Sequence, residues 1–132
     1  MPMDLRDKNR WGLKRLFRSF YYAWTGLRYV FSNEQNLRIH LGIGIVILIV
    51  AFSLSISLIE RAILILVIGI VLSLEVMNTA IERTVDMFTA EYHPLAKIAK
   101  DIAAAAVFVF SLIAVIIGLI ILLPPLLDLF IR

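Results

Sequence analysis

Leu41 to Ile59 is a run of 19 residues without a charge, and a run of that kind leaves a chain few folds to choose from. As a helix it is roughly 29 Å long, which matches a hydrocarbon core of about 30 Å. Two more apolar runs follow. Ala62 to Phe88 is long enough to span and carries Glu75, Glu82, Arg83 and Asp86, all in its second half. Ile102 to Leu127 holds no charge and meets the helix-breaking pair Pro124-Pro125, where a third span is expected to close. Hydrophobic residues make up 61% of the 132, and the mean hydropathy of +0.94 lies far outside that of a soluble domain. The chain therefore reads as an all-α membrane protein with one membrane-embedded domain over residues 1–132. The expected parts are a polar, loosely attached segment over 1–10, a surface helix over 12–32, and transmembrane helices over 37–59, 62–88 and 97–123.

The net charge of +3 would suit a nucleic-acid partner if the charges formed one patch, but they do not. Arg6, Lys8, Arg10, Lys14, Arg15, Arg18, Arg28 and Arg38 all precede the first span, and Arg83, Lys97 and Lys100 lie at the end of the second span or just after it. Only Arg61 and Arg132 fall on the other side. By the positive-inside rule the N-terminus and the second loop are expected to be cytoplasmic and the C-terminus outside, with the basic residues facing anionic headgroups rather than nucleic acid. From Leu13 the residues Leu16, Phe17, Phe20, Trp24, Leu27 and Phe31 follow helical spacing, with Lys14, Arg15, Arg18 and Arg28 on other faces. This predicts an amphipathic helix lying at the cytoplasmic surface. The basic start of the chain does not resemble a cleavable secretory signal. No cysteine is present, which excludes disulfides and thiolate metal sites.

The second span contains the anomaly. Glu75, Asn78, Glu82 and Asp86 stand at i, i+3, i+7 and i+11, so at about 100° per residue they fall in one narrow stripe. A charge near the bilayer centre costs at least ~2.5–3.5 kcal/mol and normally faces a bundle interior, a cavity or an ion. Three spans enclose such a stripe poorly, so its burial predicts oligomerisation.

Glu34, Glu82 and Asp86 offer carboxylate oxygens and Asn78 an amide. A small set of hard oxygen donors suits Mg²⁺, which keeps several waters and shares the rest of its sphere with substrate phosphates. His40 and His93 are too far apart in sequence to argue for zinc. Lys100-Asp101, at the start of the third span, could meet phosphoryl charge. Gly42-Ile43-Gly44 lacks the spacing and the lysine of a P-loop, and no protein-kinase signature is present. Glu75, nearly two turns deeper than Glu82, is placed to act as general base toward a hydroxyl at the membrane interface. The residues thus permit phosphoryl transfer from a magnesium nucleotide to a lipid alcohol. A small channel or transporter subunit, with the stripe lining an ion path, and a purely structural membrane protein are the rival classes. The outer halves of the spans do not continue the stripe, which weighs against both rivals.

Glu75-Val76-Met77-Asn78-Thr79-Ala80-Ile81-Glu82-Arg83-Thr84-Val85-Asp86, then Glu91-Tyr92-His93-Pro94-Leu95-Ala96-Lys97 and Ala99-Lys100-Asp101, resemble the signature of the small bacterial diacylglycerol kinase / undecaprenol kinase family. Trp24-Thr25-Gly26-Leu27-Arg28 and Asn33-Glu34 are similar to that family's surface-helix segment. The resemblance implies that Glu75 is the general base, that Asn78 positions groups in the site, and that Glu34 and Glu82 hold the Mg²⁺ of ATP. It implies nucleotide contacts from Arg15, Tyr22, Glu91, Tyr92, His93, Lys100 and Asp101, with Trp24 and Arg28 beside the incoming lipid. It also implies a homotrimer in the bacterial cytoplasmic membrane, with active sites shared between neighbouring subunits. The 91–97 loop and the Gly118-Leu119-Ile120-Ile121 tail look more like the undecaprenol kinases of Gram-positive bacteria. Thr25 departs from the enterobacterial diacylglycerol kinases, which tend to carry lysine there. Undecaprenol is therefore the expected acceptor and diacylglycerol the alternative.

Overall fold

The computed structural model describes residues 12–88 and 91–131, which form four helices and, among the described residues, no strand. These are α1 (Leu13–Asn33), α2 (Gln35–Ser53), α3 (Leu58–Phe88) and α4 (Pro94–Ile131). The segment 1–10, and Thr89 and Ala90 of the second loop, lie outside the described residues. Two units divide after Asn33. The first holds α1, on which Leu13, Phe17, Phe20 and Trp24 are exposed. Ser19, Thr25 and Asn33 each turn a side chain back to the carbonyl four residues earlier.

The second unit is an antiparallel bundle of three helices, each long and apolar enough to cross a membrane. Glu34 at the start of α2 meets Arg83 near the end of α3, and Ala51 near the end of α2 packs with Leu64 near the start of α3. Lys100 and Ile121 of α4 reach Asp86 and Leu64 in the same antiparallel sense. Ala51, Leu54, Ile56, Leu64 and Ile121 form a small core at the end that holds the α2–α3 turn. Large apolar side chains on the outer faces, such as Ile45, Ile49, Leu66, Phe108, Val115 and Ile120, remain exposed, as helices solvated by lipid require. Gly44 is where α2 and α3 come closest: a Cβ there would lie 2.7 Å from Ile68 Cγ2.

Three boundaries differ from the sequence expectation, each for a local reason. The first span is read as 37–59, whereas α2 ends at Ser53. Leu54 and Ile56 turn inward to the core instead, and the Arg61 guanidinium donates to the Leu54 carbonyl at 3.3 Å while stacking over the Phe52 ring. The second span is read as 62–88, whereas α3 starts at Leu58 because Ser57 and Glu60 form a capping box. The Ser57 N–H donates to Glu60 Oε2 at 2.7 Å and the Glu60 N–H to Ser57 Oγ at 3.2 Å. The third span is read as 97–123 and closing at the proline pair, whereas α4 begins at Pro94 and runs through Pro124 and Pro125 to Ile131. Pro94 occupies the first helical position, where its missing N–H is not needed. Beyond the pair, Leu126 packs on the same core as Ile121 and Leu122, so burial holds the helix together where two hydrogen bonds are lost. On α3, Ser73, Thr79 and Thr84 each donate a hydroxyl to the carbonyl four residues back.

Candidate functional site at one end of the bundle

The stripe on α3 grades from dry to wet. Glu75 and Thr79 are buried, Asn78 and Glu82 partly so, and Asp86 is exposed. At 1.5 Å per residue Glu75 lies roughly 26 Å along α3 from its start at Leu58, and Glu82 lies roughly 10 Å beyond it.

Glu75 has a side chain 5% exposed, and His40 Nδ1 of α2 stands 2.8 Å from its Oε1. The pair touches without being aligned, since Nδ1 has no hydrogen-bond partner of proper angle. His40, Gly44, Val67, Val71, Ser111 and Val115 line an apolar cavity of about 170 Å³ between the three helices. The Ser111 hydroxyl is buried there without a partner. One turn nearer the polar end, Asn78 Nδ2 donates to Glu82 Oε1 at 3.0 Å, which leaves Asn78 Oδ1 buried and unpartnered.

Glu34 has the extended backbone of an N-cap (φ −108°, ψ 118°) but makes no side-chain cap. Its carboxylate instead accepts from Arg83 NH2 at 2.7 Å. Beyond the stripe lies a third feature, an open groove of about 440 Å³ lined by Asp86, Glu91, Tyr92, His93, Lys97 and Lys100, with Val85 and Ala96 between them. Lys100 is ion-paired with Asp86 across α3 and α4. The Leu95 N–H donates to His93 Nδ1 at 3.2 Å, so the ring proton sits on Nε2 and that atom remains as a donor. The groove opens at the N-terminus of α4, where backbone N–H groups and the helix dipole favour an anion.

The structure thus brings Glu91, Tyr92, His93 and Lys100 together, joins Asn78 to Glu82, and sets Glu75 apart in a dry layer. Asp101 lies outside the groove lining and pairs with Lys97, which lines it. Arg15, Tyr22, Trp24 and Arg28 are carried on α1, in the first unit, where all four are exposed. Among the described residues no group of three or more His, Cys, Asp or Glu side chains is close enough to hold a metal by itself. Sequence reasoning missed His40 as the partner of Glu75, because contact between helices depends on their register. It also missed Asp86 and Lys97 as groove residues, although both flank the loop in sequence.

Fold and site together define a three-span helical membrane protein in which a stripe of carboxylates on α3 leads to a charged groove at one end of a largely apolar bundle. The chain belongs to the prokaryotic diacylglycerol kinase family, whose model matches residues 21–122, and it is a lipid kinase. It is 48% identical over 124 residues to an undecaprenol kinase of Bacillus subtilis, covering 94% of this chain and 100% of that protein. It is 45% identical over 124 residues to a diacylglycerol kinase of Synechocystis, covering 92% of this chain and 71% of that protein. A diacylglycerol kinase of Escherichia coli K12 is 36% identical over 109 residues, covering 82% and 88% of the two chains.

Proposed function

We propose that this protein transfers the γ-phosphoryl group of ATP to undecaprenol, with Glu75 as general base. The observation that carries the reading is the burial of Glu75: a carboxylate 5% exposed, nearly two turns from Glu82 on a helix long and apolar enough to cross a membrane. A base buried there meets a hydroxyl whose hydrocarbon stays in lipid. The hydroxyl oxygen attacks the γ-phosphorus, its proton passes to the Glu75 carboxylate, and the bond from the γ-phosphorus to the bridging oxygen of ADP breaks. His93 Nε2–H, Lys100 and the N-terminus of α4 offer donors for phosphate oxygens in the groove, and Glu91, Tyr92 and Asp101 complete its polar surroundings.

The donor set fits Mg²⁺. Glu82 and Glu34 present carboxylate oxygens, and Asn78 Oδ1 is a buried oxygen that lacks a partner. These residues would hold the ion that accompanies the nucleotide, and that ion would neutralise charge on the transferred phosphate. A homotrimer with shared sites would cover the exposed apolar faces of the three long helices. α1 would lie at the cytoplasmic surface, and the family resemblance implies a nucleotide-binding role for Arg15 and Tyr22 and a lipid-binding role for Trp24 and Arg28. The excess of Lys and Arg at the groove end supports an orientation in which the groove faces the cytoplasm of a bacterial cell, where ATP is found.

Undecaprenol is favoured over diacylglycerol by the full-length likeness to the Bacillus subtilis enzyme. Diacylglycerol is the second reading, favoured by the 45% identity to the Synechocystis enzyme. Purified protein with Mg²⁺ and ATP, offered undecaprenol and diacylglycerol in matched micelles, should phosphorylate undecaprenol faster. Equal or reversed rates would overturn the choice of lipid, and transfer to neither would overturn the chemistry. Glu75→Gln and Glu82→Gln should each abolish transfer while the helices remain.

A further inference from the structure

A carboxylate as buried as that of Glu75 needs a partner. Among the described residues it has one side-chain partner, His40, whose Nδ1 lies 2.8 Å from Oε1. His40 stands at the second turn of α2, half-way between water and the apolar cavity that it also lines. Among the described residues no other ionisable group lines that cavity; its remaining lining is apolar side chains, Gly44, Gly118 and the Ser111 hydroxyl. Nδ1 is buried yet has no acceptor along its N–H direction, so the pair is in contact but not locked. A small rotation of either the ring or the carboxylate would turn this contact into a hydrogen bond.

We propose that His40 is a positioning residue for Glu75: its Nδ1–H holds one carboxylate oxygen so that the other faces the acceptor hydroxyl. The proposal rests on Glu75 being the general base. Holding the carboxylate affects the reacting geometry and leaves the groove where phosphates are expected untouched. The contribution of His40 should therefore appear in kcat rather than in KM for ATP. A histidine that only neutralised a buried charge would instead affect stability, with no reason to distinguish one replacement donor from none.

The test compares wild type, His40→Leu, His40→Asn and Glu75→Gln as full-length protein in lipid micelles, with initial rates for undecaprenol and diacylglycerol and thermal unfolding of each variant. Leucine fills the space without a donor, and the asparagine amide nitrogen can stand where Nδ1 stood. His40→Leu should lower kcat by about 10- to 100-fold with KM for ATP unchanged, and His40→Asn should recover most of that loss. A wild-type kcat for His40→Leu, an Asn variant no better than Leu, or a loss confined to KM would each overturn the positioning role. Full activity in Glu75→Gln would overturn the general-base reading itself. An inactive Glu75→Gln beside a fully active His40→Leu would overturn the role of His40 alone.

Discussion

Substituting Gly44 by alanine tests the packing that brings α2 to α3. An added Cβ would meet Ile68 Cγ2 at 2.7 Å, about 1 Å inside the optimum for two carbons. Cγ2 is a branch methyl on a stiff χ1, so it cannot swing away as the end of a long chain could. Overpacking of this kind costs about 1–3 kcal/mol. Replacing a helical glycine returns roughly 0.8–1 kcal/mol of propensity, so the net loss at Gly44 should be near 1 kcal/mol. The informative comparison is Gly69→Ala, where nothing lies within 4 Å and the propensity gain stands alone. Reversible unfolding in mixed micelles should rank Gly69→Ala at or above wild type and Gly44→Ala below both. In an Ile68→Ala background the steric cost at Gly44 should vanish and leave the propensity gain, a coupling of about 2 kcal/mol. Because His40 lies one turn from Gly44, the alanine variant should also lose kcat before it loses its fold. Gly44→Ala as stable as Gly69→Ala would refute the close approach and, with it, the register that pairs His40 with Glu75.

Other perturbations address the rest of the molecule. Pro125→Ala should raise the unfolding midpoint, since an interior proline costs about 3 kcal/mol before its surroundings compensate; an unchanged midpoint would mean that the core around Leu126 already offsets the whole cost. Lys100→Met should reduce phosphoryl transfer by at least about 10-fold, seen as a raised KM for ATP or a lowered kcat, while the KM for lipid stays put. Asp86→Asn frees Lys100 from its ion pair and should shift KM for ATP in titrations at low salt, with little effect on stability because a half-exposed pair contributes less than ~1 kcal/mol.

What the sequence made legible depends on how local each feature is. Charge-free runs as long as 41–59 can be counted, and they mark spanning helices whatever packs against them. The stripe of Glu75, Asn78, Glu82 and Asp86 needs only helical periodicity, and its descent from buried to exposed follows from position along α3. The start of α3 was also readable, for Ser57-Leu58-Ile59-Glu60 is a capping-box spacing, but the apolar run drew attention past it to Ala62. Pro124-Pro125 points the opposite way: a strong local breaker is overruled by burial of Leu126 on a core shared by α2, the α2–α3 turn, Leu64 of α3 and α4 itself. His40 beside Glu75, and Glu34 beside Arg83, are contacts across 35 and 49 residues of sequence that only the register of two helices decides. The residues carried on α1 belong to a separate unit, so their expected roles rest on family likeness.

The three hydroxyls of α3 have a consequence for where reactivity can reside on that helix. Ser73, Thr79 and Thr84 each commit the hydroxyl proton to their own backbone, so none offers that proton to a base. A hydroxyl aimed outward near Glu75 would itself be an alcohol within reach of the base and a phosphate donor, open to self-phosphorylation. With those protons committed, the hydroxyl that gives its proton to Glu75 comes from outside α3, and the helix that carries the base is shielded from its own chemistry.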